Sequence, residues 1–259
     1  MIPKIIHYTW FSNEPFPKKV QRCIDSWKRI MPDYELKIWN MDSIKDIDSV
    51  FLKEALSVKK WAYAADFVRL YAIYNYGGIY LDTDVVVYKP FDEFLNHQVF
   101  IGKESSIHFT NEGSLQGLTS HCFGAKQGHP YIKKCLDYFE NRHFVISKDT
   151  ELPTSLRMNL VLLPYIQAAI AVKFGYDWRP SVQCVQKIED GIAIYPSVIF
   201  DPFQGKLQNR KKSYCLHLAM GGWRDFTRQR TKIGCFEKIL VKVLGSFFQK
   251  MNYCIMKFD

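Results

Sequence analysis

Asp82 and Asp84 stand one residue apart in the stretch YNYGGIYLDTDVVV, residues 74–87. Carboxylates that close repel one another, and each is more stable in water than beside a buried strand. A divalent cation resolves the conflict. It takes hard oxygen ligands from at least one carboxylate and completes its shell with water and phosphate oxygens. Residues i and i+2 of an ideal strand share a face, so both acids can point one way at the carboxyl end of IYL. Open α/β sheets bind ligands along that edge. The chemistry that suits the pair is therefore a metal-held diphosphate. The competing reading is a polar turn, because a bare D-x-D is common. Asp66 and Arg69 lie three apart on one face of the preceding helix. Beside a cleft, Asp66 can accept hydrogen bonds from sugar hydroxyls, and the Arg69 fork can bind hydroxyls or phosphate. The bland alternative for these two is an ordinary intrahelical ion pair, worth a few tenths of a kcal/mol.

The elements that must carry these residues follow from the hydrophobic pattern. Residues 3–9 read as a buried strand, followed by a turn, SNEPFP. Residues 18–30 have helical spacing, with Val20, Ile24, Trp27 and Ile30 on one face. A Pro-Asp turn and the strand ELKIWN complete a βαβ unit, which implies a parallel sheet and an α/β fold. A helix is expected over 58–76, with Trp61, Ala65, Val68 and Ala72 on one face and Gly77-Gly78 ending it. The strand IYL, the acidic pair and VVVYKP come next. Further strands are expected at 98–102 and 118–125. A helix opens at His129-Pro130 and runs to about 141. A helical stretch covers 153–174, kinked or divided at Pro164. AIYPSVIF and SYCLHLA read as late strands, and 231–256 as a long helix.

Composition narrows the function classes. The chain has 259 residues, 47% hydrophobic and 15% aromatic, enough for one large domain with a small annex and too apolar for disorder. Its cysteines, at 23, 122, 135, 184, 215, 235 and 254, form no C-x-x-C pair and are odd in number. They suggest reduced thiols in a cytoplasmic protein rather than a disulfide framework or zinc site. The start, MIPKIIHYTWF, has no apolar h-region. No run of about 18 apolar residues is present to span a bilayer. The net charge is +9, and from Lys206 onward 12 basic and 3 acidic residues account for all of it. That argues against a nucleic-acid partner and for one local anionic partner.

Asp82-Thr83-Asp84-Val85-Val86 also fits the D-x-D-x-[T/V] template of haloacid-dehalogenase-type phosphohydrolases, in which the first Asp is a nucleophile and the second an acid. Those enzymes carry the motif in their first strand and need a later lysine and acidic pair. Here about 80 residues precede it, and Glu189-Asp190 looks like a turn.

The combination AYAADFVRLYAIYNYGGIYLDTD resembles the D-x-D sugar-binding region of glycosyltransferase family 32 and of the related clostridial glucosylating toxins. The pattern is a small residue, Asp, two residues, Arg, then Leu-Tyr, Gly-Gly-x-Tyr-x-Asp-x-Asp; Ala65 stands where Ser is usual. IPKIIHYTWF, the SW, PDYE and WN of residues 26–40, and YCLHLAMGGW extend the likeness over roughly 2–225, with Gly222 in place of a frequent Ser. The resemblance implies a GT-A fold, that is, a Rossmann-like α/β fold with a mixed, mainly parallel sheet flanked by helices. It further implies a UDP-sugar donor and transfer with retention. By position, Asp84 binds Mn2+ or Mg2+ directly, and Asp82 does so through water or holds the ribose. Asp66 and Arg69 grip the donor sugar, Trp10 stacks on uracil, and His217 completes the metal site. Trp223 and Gly221-Gly222 close over the diphosphate. For Trp10 the alternative is a core aromatic, for His217 a buried structural histidine, and for Trp223 a loop residue packed beside the core. Retention implies that the acceptor hydroxyl attacks on the face the diphosphate leaves, so no protein base is required; Asp201 and Glu112 are unassigned acids for a double displacement. The polar segment SSIHFTNEGSLQGLTSH is expected to line an acceptor cleft, or to be a solvated loop.

The tail begins a second expectation. Phe236, Leu240, Val243, Phe247 and Met251 share a helical face, with lysines elsewhere. This resembles an interfacial helix with a basic collar, the alternative being a helix packed on its own domain. The expected organisation is a catalytic domain over 1–230 and a basic amphipathic helix over 231–259, peripheral to an anionic membrane that carries a glycan or lipid-linked acceptor. A non-catalytic sugar-nucleotide-binding module is the remaining rival.

Overall fold

The structure is a computed structural model, and it describes residues 1–110, 113–202 and 211–220. The expected tail helix and its membrane face, the boundary at 230, Trp223, Gly221-Gly222 and Glu112 lie outside the described residues.

The chain opens with strand β1 (Ile5–Thr9), helix α1 (Lys18–Ile30) and strand β2 (Glu35–Trp39), the βαβ unit read from the pattern. Val20, Cys23, Ile24 and Trp27 of α1 are buried at helical spacing. Two short helices follow, α2 (Met41–Ile44) and α3 (Val50–Ser57), before α4 (Trp61–Tyr76). The expected helix over 58–76 thus starts later, because Lys59 takes a positive φ of 57° and breaks the chain between α3 and α4. Ser49 caps α3, its side chain accepting from the Leu52 N–H. Helix α4 is buried on nearly every side from Tyr63 to Ile73, so its sequence shows little polar face. It ends at Gly77, where φ is +65°.

Strands β3 (Gly78–Leu81), β4 (Val85–Val87), β5 (Val99–Thr110) and β6 (Gly113–Ala125) follow. Then come α5 (Pro130–Asp137), α6 (Thr154–Arg157), α7 (Leu163–Val172), β7 (Gln186–Ile188), β8 (Ile192–Tyr195), α8 (Ser197–Phe200) and β9 (Cys215–His217). Three expectations change. Pro164 lies in the first turn of α7, where its missing N–H costs nothing, so 153–174 is two helices with a connection between them. AIYPSVIF is strand only to Tyr195; Pro196 ends it and α8 takes the rest. The polar segment 105–121 is not a solvated loop but most of the β5–β6 hairpin.

The main sheet has the order β2-β1-β3-β6-β5-β8-β7. Strands β1, β2, β3, β5 and β8 run one way, while β6 and β7 run against them, so the sheet is mixed and mainly parallel. A two-stranded sheet pairs β4 with β9. Two apolar cores flank the main sheet, one around α4, α5 and α7, the other around Trp27, Phe94, Phe100 and Phe200. Each fully buried large apolar side chain is worth about 1.5–3 kcal/mol.

The β5–β6 hairpin carries two irregularities. Ile101 pairs with Phe123 and Lys103 with Leu118, so residues 119–122 stand opposite Gly102 alone. Lys103 pairs with Leu118 and Ile107 with Gln116, so residues 104–106 stand opposite Gly117 alone. Bulges of this kind re-aim side chains beside functional sites.

Candidate active site

Strand β3 ends at Leu81, and the chain turns at once. The Asp82 N–H donates to the His121 carbonyl, 3.0 Å, in the β6 bulge, and the Val85 N–H donates back to the Asp82 carbonyl, 3.0 Å. The acidic pair therefore sits in a turn rather than along a strand, and its convergence comes from the turn. Strand β9 then delivers the third group. Its antiparallel pairing sets His217 opposite Val85, and His217 Nε2 lies 3.2 Å from Asp84 Oδ1. The Met220 N–H donates to Asp84 Oδ2, 2.9 Å. Ligand atoms of Asp82, Asp84 and His217 lie within 4.8 Å of one another, and a second such group joins His217 to His121 and Asp201. The His121 and His217 rings stack with centroids 4.3 Å apart.

Helix α4 supplies the wall. Arg69 is 3% exposed. Its Nη1 donates to Asp82 Oδ2 at 3.3 Å and to the Ser120 carbonyl at 2.6 Å; its Nη2 lies 3.1 Å from Asp66 Oδ1. The Tyr80 hydroxyl donates to Asp82 Oδ1, 3.0 Å, and the Tyr80 ring lies 4.6 Å from the guanidinium carbon. Asp66 also accepts the N–H of Leu163 at the start of α7. Asp66 and Arg69 are thus not a surface ion pair: they are buried, and they join three elements.

The electrostatics follow from burial and partners. Burial pushes the Asp66 carboxyl up to about 7, against the opposing pull of Arg69. For Arg69, burial works against the charge, but Asp82, Tyr80 and Asp66 outweigh it and raise the guanidinium further. Burial alone would raise Asp84, yet the hydrogen bond and charge of His217 hold it below its ordinary value. His217 moves up for the reciprocal reason, its burial outweighed by Asp84. Burial and the charge of His217 push His121 down to about 4.

Trp10 follows β1 on the same sheet edge, since Thr9 Oγ1 and the Tyr80 hydroxyl lie 3.0 Å apart. Its ring is half-buried, its Nε1–H donates to the Glu14 carbonyl, 2.9 Å, and it meets Phe16 edge-on. Asp201 accepts from the Ser105 N–H, 2.6 Å, and joins the histidine pair. Sequence reasoning passed over Tyr80, His121 and Glu104. Tyr80 stood inside the motif and so had a signal; His121, after Thr119-Ser120 at the end of a largely polar segment, and Glu104 had none.

Comparison with known proteins bears on this geometry. Residues 17–101, which span α1 through the acidic pair to β5, match the family model of the glycosyltransferase sugar-binding region containing DXD motif. The matched stretch is 85 of the chain's 259 residues, and over it the chain is similar to that sugar-binding region. The matched stretch includes Asp66, Arg69, Asp82 and Asp84, while His217 and Asp201 lie outside it. Inositol phosphoceramide mannosyltransferase 3 of Schizosaccharomyces pombe is 33% identical over 138 residues, 51% of this chain and 35% of the relative. Mannosyl phosphorylinositol ceramide synthase CSH1 of Saccharomyces cerevisiae is 30% identical over 143 residues, 52% of this chain and 35% of the relative. The chain spans about a third of the length of these curated relatives. Among solved structures, PaToxG glycosyltransferase is similar at 19% identity and a TM-score of 0.44, over 66% of this chain and 69% of that one.

Proposed function

We propose that this chain is a metal-dependent glycosyltransferase that moves a hexose from a nucleotide sugar to a hydroxyl of a glycan or lipid-linked acceptor. The observation that carries the reading is the convergence of Asp82, Asp84 and His217 on one spot beside the buried Arg69–Asp66 pair. The donor set fits a divalent cation: two carboxylates and one imidazole suit Mn2+, and the carboxylates suit Mg2+. Asp84 and His217 would hold it directly. Asp82, with its oxygens already bonded to Tyr80 and Arg69, would reach it through water. A bound cation supplies Lewis-acid neutralisation of the leaving diphosphate.

The chain's own groups do the rest. Arg69 anchors Asp82 and offers its remaining donor capacity toward phosphate. Asp66 receives sugar hydroxyls at the start of α7. Trp10 stacks on the base, a contact worth about 1–3 kcal/mol. UDP-hexose is the donor we favour, with retention at the anomeric carbon. The relatives' names add mannose as a candidate sugar and an inositol-bearing sphingolipid as a candidate acceptor. A cytoplasmic protein held peripherally on an anionic membrane by residues 231–259 suits such an acceptor, and binding to vesicles of graded anionic content tests that docking.

The rival phosphohydrolase needs Asp82 as a nucleophile. Both of its oxygens are engaged, by Arg69 and Tyr80. A calorimetric screen of UDP-glucose, UDP-galactose, UDP-N-acetylglucosamine and GDP-mannose, with and without Mn2+, tests the proposal. Mn2+-dependent binding with nucleoside diphosphate release supports transfer. Phosphate release from simple phosphomonoesters supports the rival, and binding without turnover supports a non-catalytic module.

A further inference from the structure

The bulge at residues 104–106 presents one carboxyl, and the structure invests several side chains in holding it. A bulge forfeits ladder hydrogen bonds, and here side chains replace them. The Ser105 N–H donates to Asp201 Oδ2 at 2.6 Å, and the Glu104 carbonyl accepts from Gln116 Nε2 at 2.5 Å. Ser106 Oγ donates to Glu104 Oε2 at 3.3 Å. Opposite the bulge is Gly117, where a Cβ would stand 2.9 Å from Glu104 Oε2 and 3.0 Å from Pro164 Cβ. The missing side chain makes room for the Glu104 carboxyl against the first turn of α7. That same turn holds Asp66 through the Leu163 N–H. Glu104 and Asp66 therefore flank one helix end, and Asp201, which fixes the bulge, belongs to the His121–His217 group.

We propose that Glu104 is the carboxyl that receives the incoming acceptor hydroxyl, an assignment that rests on the glycosyl-transfer reading. The residue as a whole is half-buried rather than sealed in the core. Burial and the charge of Asp201 push it up to about 8, with Asp66 adding to the rise and Ser106 and His217 opposing it. Such a carboxyl passes readily between accepting a hydrogen bond and holding a proton near neutral pH. In the step, the bond from the anomeric carbon to the diphosphate breaks as the bond to the acceptor oxygen forms. The electron pair leaves with the diphosphate, the acceptor hydroxyl's proton passes to the departing phosphate oxygen, and Glu104 accepts a hydrogen bond from that hydroxyl as it attacks and so orients it.

The test uses the full chain with Mn2+, the four nucleotide sugars named above, and excess myo-inositol or methyl α-mannoside as acceptor probes. Donor affinity is read by calorimetry and transfer by product formation, in Glu104→Ala and the isosteric Glu104→Gln. Glu104→Ala should keep its donor affinity within twofold while transfer falls roughly 100-fold, and added formate should restore part of the loss. Glu104→Gln, which fills the same space, should also be slow. Transfer in both variants close to that of the unaltered chain overturns the assignment. So does a loss that formate does not relieve or that donor affinity shares, since either marks a structural role. If the unaltered chain binds no nucleotide sugar, the glycosyl-transfer reading itself fails and takes Glu104 with it.

Discussion

Arg69 Nη1 stands 3.3 Å from Asp82, thirteen residues further along the chain, and Nη2 of the same side chain stands 3.1 Å from Asp66. One guanidinium thus ties the helix before the acidic turn to the turn itself. Four carbonyl and carboxylate partners surround it: Ala65, Asp66, Asp82 and Ser120. Its planar fork matches that arrangement, which a point-charge ammonium does not.

Arg69→Leu is therefore expected to cost about 3–5 kcal/mol, because it strands buried carboxylates without a counter-charge. Arg69→Lys keeps the charge and should lose less stability. Urea unfolding with a shared slope measures both, and equal stability of Arg69→Leu and the unaltered chain would contradict the assignment.

The Gly-Gly of the motif is architectural. Gly78 has φ +103°, and a Cβ there would lie 2.7 Å from the Ile5 carbonyl oxygen, where β3 runs parallel beside β1. Gly78→Ala should destabilise by about 1–3 kcal/mol. Gly128 has φ +72°, and a methyl group there would meet nothing within 4 Å, so Gly128→Ala should cost only the backbone term, about 1 kcal/mol. Thermal melts of the two variants should separate in that order.

His7 makes acid stability measurable. It is fully buried, its Nε2–H donates to the Gly77 carbonyl at 2.8 Å, and its Nδ1 accepts from Trp39 Nε1 at 3.1 Å. Burial drives its pKa down to about 4, with Lys37 adding to the fall and the Gly77 bond opposing it. The unfolded chain binds the proton more readily, so this contribution is complete above the ordinary histidine value of 6.5 and is lost as pH falls toward 4. The loss amounts to about 3 kcal/mol. Denaturant unfolding between these pH values should show it, and His7→Gln should flatten the profile.

Local pattern made some of this legible and geometry withheld the rest. Helix α1 matched its expected bounds because Val20, Ile24 and Trp27 repeat at helical spacing around one buried face. The acidic turn was readable because Gly77-Gly78 and Asp82-x-Asp84 are contiguous in the chain. The β5–β6 hairpin was not, since residues 105–121 are largely polar and their pairing spends itself on two bulges rather than on an apolar alternation. His121 and Glu104 owe their positions to those bulges, and a bulge is set by the partner strand. The meeting of His217 with Asp84 depends on a strand pairing across more than a hundred residues, which no local window contains.

The most direct measurement of the central claim is calorimetric titration of Mn2+ into the full chain, with and without a nucleotide sugar, for the unaltered protein and Asp84→Asn. The account predicts one Mn2+ per chain in the unaltered protein, bound more tightly when the nucleotide sugar is present. It predicts affinity at least about tenfold weaker in Asp84→Asn. Equal Mn2+ affinity in the two proteins, or nucleotide-sugar binding indifferent to the metal, would contradict it.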